Sequence, residues 1–264
     1  MAFLEVSFFS EVLGMGMSMN VVLPQKTRGN IGVSEGEVGE KFPTLYLLHG
    51  MSDDHTTWMR RTSIERYAEE RGLAVVMPST NLGWYTDMKL GFAYRTFIGE
   101  ELPRICRGFF PGMSEKREDT YVSGNSMGGY GALALALTYP ETFSVAAPLS
   151  GAFDPKWLYH PDDPGNTYFS DIFGPIDTFD GSKNDLFSLS EKLRDSGKPL
   201  PHVFQWCGDH DFLLDVNRRM KDHLASLGYD ITYSETDGNH SWGYWDREIQ
   251  NVLRYIDRVR ERGI

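Results

Sequence analysis

Apolar residues along the chain fall into two rhythms. Thr44-Leu45-Tyr46-Leu47-Leu48, Leu73 to Met77 and Ser144 to Leu149 are short apolar runs without polar alternation. That is the pattern of strands buried on both faces of a parallel sheet. Between and after them the period changes. Thr56 to Arg71 reads as a helix that buries Trp58, Ile64, Tyr67 and Ala68 and stops at Gly72. Thr96 to Phe110 reads as another, with Pro103 bending or dividing it. Towards the C-terminus helices over 188–196, 212–227 and 242–259 alternate with strands over 202–207 and 230–235. At the other end, residues 3–13 and 17–24 read as a hairpin turning at Gly14-Met15-Gly16.

Two stretches have neither rhythm. Residues 25–41 are glycine-rich, carry Glu35, Glu37 and Glu40, and read as a solvated, mobile loop. Residues 151–187 hold Pro155, Pro161, Pro164 and Pro175, many aspartates, and aromatics at no regular spacing. So long an irregular stretch inside a compact domain is usually functional, and the expectation is an insertion or lid over the sheet. The alternation after an antiparallel start predicts one α/β domain over 1–264, a sandwich around a mostly parallel sheet.

Composition adds exclusions. A net charge of −11 argues against nucleic acid and anionic membrane as partners. The longest apolar run, Ala132 to Leu137, is too short to span a bilayer, and the N-terminal residues show no signal peptide. Two cysteines, Cys106 and Cys207, make no disulfide framework and suggest a cytoplasmic setting.

The chemistry gathers around Gly124-Asn125-Ser126-Met127-Gly128. A β-prone run, Asp119 to Ser123, precedes it, and the helix-prone run Gly129 to Leu137 follows. Strand, sharp turn and helix are what a nucleophile elbow needs, which makes Ser126 the candidate nucleophile and the sandwich an α/β-hydrolase fold. A serine hydroxyl needs a base. His202, His223 and His160 sit on a strand, a helix and the irregular stretch, whereas His49 and His55 flank a loop at the carboxyl edge of a strand. His240 is best placed, in the loop before the last helix and after the serine in chain order. Asp209 and Asp211 both follow the strand 202–207, and spacing alone does not choose between them. His210 between them invites a metal reading, but no H-x-x-x-H or H-E-x-x-H helix supports one, and no metal or cofactor is expected. An oxyanion hole would take the backbone N–H of Met127 and that of Met51, after His49-Gly50. Trp84, Tyr85 and Trp242 are the candidate substrate walls, with the Met51 and Met127 side chains beside them. Bulk so close to the nucleophile predicts a slot for short acyl groups.

Five motifs stand together in order: Leu47-Leu48-His49-Gly50-Met51, Gly83-Trp84-Tyr85-Thr86-Asp87, Gly124 to Gly131, Trp206 to Leu213, and Gly238-Asn239-His240-Ser241-Trp242. With them the chain resembles the esterase D-like family of α/β hydrolases, and within it the bacterial tributyrin esterases, from about Phe3 to the final helix. The resemblance implies that the acid is the aspartate of the G-x-x-D-F-L segment, Asp211, with Asp209 a structural carboxylate or helix cap. It implies a serine carboxylesterase working through an acyl-enzyme on a small-molecule ester with no cofactor; the crowded slot sets the expected acyl range at acetyl to butyryl. Feruloyl and acetylxylan esterases, S-formylglutathione hydrolases and acyltransferases share the scaffold and are the alternatives. Whether the chain forms a homo-oligomer is left open.

Overall fold

The structure, a computed structural model, describes residues 1–25, 39–163 and 165–263. The expectation for the 25–41 loop therefore falls, over 26–38, outside the described residues. Eight strands form one sheet: β1 (Ala2–Ser10), β2 (Met15–Leu23), β3 (Thr44–Leu48), β4 (Ala74–Pro78), β5 (Thr120–Asn125), β6 (Val145–Leu149), β7 (His202–Gly208) and β8 (Ile231–Thr236). Their order is β1-β2-β4-β3-β5-β6-β7-β8. β1, β2 and β4 pair antiparallel, and every pair from β4–β3 onward is parallel. This is the α/β sandwich around a mostly parallel sheet that the apolar rhythm predicts.

The continuous apolar runs bury both faces, and their residues divide by parity as a pleated strand requires. Tyr46 and Leu48 of β3 and Val76 of β4 join the core on one side. Leu45, Leu47, Val75 and Met77 join the core on the other. The first core is covered by α4 (Leu102–Phe109), α5 (Met127–Thr138), α7 (Leu186–Asp195) and α8 (Leu214–Ser226). The second is covered by α1 (Thr57–Arg61), α2 (Ile64–Glu69) and α9 (Trp242–Arg262). Buried from Met127 to Leu137, α5 is apolar all round because it lies within the first layer.

The expected helix over 56–71 is in fact α1 and α2. Thr62 takes an extended backbone; its hydroxyl donates to Trp58 O at 2.6 Å and accepts from Ile64 N–H, while Ser63 N–H bonds Asp246. Side-chain oxygens that satisfy the backbone locally compete with the helical ladder, and the period of the buried face does not register that competition. The helix expected over 96–110 runs from α3 (Tyr94–Thr96) through a π-turn at Phe97–Glu101 into α4, with Pro103 just inside α4. The wider turn sits where proline withholds its N–H.

Ahead of α7, the described residues of the 151–187 stretch form short 3₁₀ turns at Pro155–Leu158 and Ile176–Thr178 and the helix α6 (Tyr168–Phe173). What holds it is an aromatic cluster. Phe169, Phe173 and Phe179 pack on one another, and Phe173 meets Trp84 edge-on with centroids 5.7 Å apart. Elements of one or two turns are too short to show a period, so the sequence pattern missed α6. No helix among the described residues is long and apolar enough to cross a membrane.

Candidate active site

Chain order reverses at β3: the next strand, β4, lies on one side of it and β5 on the other. Loops leaving the carboxyl ends of strands at such a point diverge and open a crevice. One of these loops begins at His49-Gly50-Met51 and the other is the turn at Ser126. Because Leu48 pairs with Gly124, the two loops start side by side.

Ser126 has φ 57° and ψ −117°, a conformation that a non-glycine residue holds only when its surroundings over-determine it. Those surroundings are close-packed. A Cβ on Gly124 would meet Gly128 O at 2.6 Å, and one on Gly128 would meet Leu48 O at 2.5 Å. Both glycines are needed so that β5, the turn and α5 can stack this tightly. Ser126 N–H donates to Leu149 O at 2.9 Å, tying the turn to β6.

The structure brings Ser126, His240 and Asp211 together. His240 Nε2 lies 3.0 Å from Ser126 Oγ, and His240 Nδ1 lies 2.9 and 3.1 Å from the two Asp211 oxygens. An ionised carboxylate only accepts, so Nδ1 carries the proton and Nε2 is free to accept from the serine. The β7–α8 loop with Asp211 and the β8–α9 loop with His240 meet at two glycines; a Cβ on Gly208 would sit 2.3 Å from Gly238 O.

Asp209 lies elsewhere. Its Oδ1 accepts from Gly238 N–H at 3.1 Å and pairs with His210 Nδ1 at 2.6 Å, in the open. The idea of Asp209 as a helix cap is corrected, since it is Asp211 that accepts from Leu213 N–H, at 2.9 Å, just before α8. Asp209, His210 and Asp237 do cluster with atoms within 4.8 Å of one another, all exposed. The Asp209–His210 hydrogen bond joins two of the three.

Met51 and Met127 each keep a backbone N–H that no acceptor takes among the described residues. The Met127 side chain, however, is buried in the core and forms no wall. A cavity of about 280 Å³ opens at Ser126 and His240. Trp84 and Trp242 line it, as expected; so do Met51, Trp157 and Phe212. Tyr85 does not. Its ring is buried against Gly131, and its hydroxyl donates to His49 O at 2.9 Å, so it braces the loop that carries Met51.

Residues 10–256 match the model of the Esterase family. The chain belongs to the Esterase family. It is 30% identical to an acetyl esterase of Caldicellulosiruptor saccharolyticus, over 99% of this chain and all of that one. Among solved structures it is similar to the fluorophosphonate-binding serine hydrolase F of Staphylococcus aureus, with a TM-score of 0.86 and 33% identity over 97% of this chain and 98% of that one. The S-formylglutathione hydrolase FrmB of the same species superposes with a TM-score of 0.83 at 32% identity, again over 97% and 98% of the two chains. It is also 27% identical to the diacylglycerol acyltransferase/mycolyltransferase Ag85B of Mycobacterium leprae, over 89% of this chain and 84% of that one. This esterase is a serine carboxylic ester hydrolase.

The electrostatics of the esterase's cavity separate its titratable groups. Burial pushes the Asp211 carboxyl up, but the hydrogen bond and charge of His240, the Leu213 N–H and the Ser150 hydroxyl together hold it below the ordinary range. His49 is different. Burial drives its imidazole down to about 4, and both nitrogens are already used, Nδ1 donating to Gly50 O and Nε2 accepting from Thr80 N–H. It is a neutral strut under the Gly50 loop.

Sequence reasoning missed Trp157, Phe212 and Trp245. Phe212 follows Asp211 directly, and its ring lies 4.6 Å from the His240 ring. Trp245 meets His240 edge-on at 4.9 Å and donates to Ser150 Oγ at 3.1 Å. One turn beyond Trp242 on the last helix, Trp245 was legible from helical spacing. Trp157 gave no signal, because the insertion that carries it has no period.

Proposed function

We propose that this esterase hydrolyses short-chain acyl esters, acetyl to butyryl, in two steps through an acyl-enzyme on Ser126. The observation that carries the reading is His240 set between Ser126 and Asp211 at 3.0 and 2.9 Å. Ser126 Oγ attacks the ester carbonyl as His240 Nε2 takes its proton, and Asp211 holds the imidazolium that forms. The Met51 and Met127 N–H groups stabilise the tetrahedral oxyanion. His240 then protonates the departing alcohol. Water, activated by the same imidazole, attacks the acyl-serine and releases the acid. None of these steps asks for a metal or an organic cofactor.

Cavity size supports a short acyl group. A space of about 280 Å³ walled by Trp84, Trp157, Phe212 and Trp242 is small for an organic ligand, and it is shared between acyl and alcohol portions. Each buried methylene adds about 0.8 kcal/mol of binding, but only while there is room for it. The acetyl esterase relative points the same way. The finer placement among esterase D-like and tributyrin-type enzymes, one domain with 151–187 as its cap, and a cytoplasmic setting with two buried free cysteines belong to the same reading.

The test is kcat/KM for p-nitrophenyl acetate, butyrate, octanoate and laurate below their aggregation limits. We expect a maximum at acetate or butyrate and a steep fall by octanoate. A maximum at laurate overturns the short-acyl reading. The likeness to an S-formylglutathione hydrolase favours a second reading, hydrolysis of a short acyl thioester by the same residues. Turnover of S-formylglutathione far above that of acetate esters would select it.

A further inference from the structure

Asn125 stands directly before Ser126, at the end of β5, and the proposed mechanism does not use its side chain. It is 1% exposed, and neither Nδ2 nor Oδ1 has a hydrogen-bond partner among the described residues. Buried amides are nearly always paired, so an unpaired one beside a nucleophile asks for an explanation. Gly50 and Asp53 line the same cavity as Asn125. A Cβ on Gly50 would stand 3.0 Å from Asn125 Nδ2 and 3.2 Å from Asp53 Oδ2. The missing side chain leaves an amide and a carboxyl facing one bare α-carbon at the cavity wall. Burial also pushes the Asp53 carboxyl above its ordinary range, against the pull of the Gly50 backbone and of Arg60 and Arg61.

We propose that Gly50, Asp53 and Asn125 form a polar subsite that accepts an aliphatic hydroxyl carried by the ester itself. The proposal rests on the ester-hydrolase reading of this cavity and names a substrate class within it. A hydroxyl both donates and accepts, which matches an amide offering N–H and C=O beside a carboxyl. An anionic substituent would meet Asp53. An alkyl group of the same size would leave the amide unpaired, and a site built to bond a hydroxyl discriminates strongly against the analogue that lacks it. Both amide atoms are buried, so pairing with the hydroxyl takes a rotation of the Asn125 side chain.

The hydroxyl has two sources, the acyl portion or the alcohol portion. The first arm compares p-nitrophenyl 3-hydroxybutyrate with p-nitrophenyl 3-methylbutyrate. The second compares 2-hydroxyethyl butyrate with propyl butyrate. In one arm the wild-type enzyme should favour the hydroxylated ester by about tenfold or more in kcat/KM. Asn125→Leu should bring that ratio to about one; Asn125→Ala serves if the leucine variant does not fold. The readout is a ratio, so a general loss of rate beside Ser126 cancels. A ratio near one in both wild-type arms overturns the subsite, as does a ratio that both variants keep. The second outcome would mean that Asn125 holds a water or only packs. Labelling of Ser126 by a fluorophosphonate probe in the same preparations keeps the two readings apart. Unlabelled wild-type enzyme sinks the esterase mechanism, whereas labelled enzyme with flat ratios sinks only the subsite.

Discussion

The nucleophile turn and the 151–187 insertion both border the same cavity, and they are built by opposite means. At the turn, backbone atoms fix everything. Glycines at 124 and 128 bring strand, loop and helix to within contact of one another, and Ser126 is held in a strained conformation by that packing. In the insertion, side chains do the fixing. Phe169, Phe173 and Phe179 cluster beneath short turns, and Trp157 meets Trp84 edge-on with centroids 6.4 Å apart at the cavity wall. Backbone packing gives a geometry with little tolerance, which suits the atoms that react. An aromatic cluster tolerates repacking, which suits a wall that sets substrate size.

The largest effect should come from the rigid region. Ser126→Ala is expected to lower kcat on an activated ester by about 10⁴-fold or more, with His240→Ala comparable. The thermal midpoint of Ser126→Ala should stay near that of the wild type, because only a hydroxyl at the cavity surface is lost. More than a few per cent of residual activity would remove Ser126 from the nucleophile role.

Next come the two carboxylates. Asp211→Asn should reduce kcat by roughly 10³–10⁴, since the amide cannot hold the histidine tautomer. Asp209→Asn should leave kcat within a few-fold of the wild type, because the Asp209 carboxylate bonds Gly238 N–H and the exposed His210, away from His240. Steady-state kinetics on both variants decide it, and the reverse ranking would make Asp209 the acid.

The strut His49 gives a pH effect on stability rather than on chemistry. Its ordinary value is 6.5 and burial lowers it to about 4 in the folded state. Between those values the unfolded chain binds the extra proton, so stability is full above about pH 6.5 and falls as the pH drops towards 4. The interval corresponds to roughly 3 kcal/mol over the whole window. Thermal midpoints of the wild type from pH 7 to pH 4 should decline, and His49→Gln should show a flatter slope. Equal slopes would mean that other groups dominate acid unfolding.

The smallest effect belongs to the insertion. Trp157 is 46% exposed and touches Trp84 and Phe212 only edge-on. Trp157→Ala should change KM for bulky esters a few-fold and leave p-nitrophenyl acetate almost untouched. A collapse of acetate turnover would show that the insertion, like the nucleophile turn, fixes reacting atoms, and the contrast between the two regions would fail.

Much of this protein is written in local sequence. Continuous apolar runs specify strands buried on both faces, because only such strands meet no water on either side. The G-x-S-x-G turn between a β-prone and a helix-prone run names Ser126, and chain order singles out His240, because each is a statement about neighbours along the chain. Other features were decided only when distant segments met. Asp209 and Asp211 are two residues apart and equivalent by spacing. They separate in space because Gly208 and Gly238 let two loops touch, which puts Asp211 against the histidine and leaves Asp209 on the outside. Tyr85 reads as a wall, yet it lies buried on Gly131, where only a glycine leaves room for its ring. The unpaired amide of Asn125 has no sequence signal at all, since being unpaired depends on everything that surrounds it. Propensity and period act over a few residues, and pairing, burial and contact are set by atoms that the chain brings from far away.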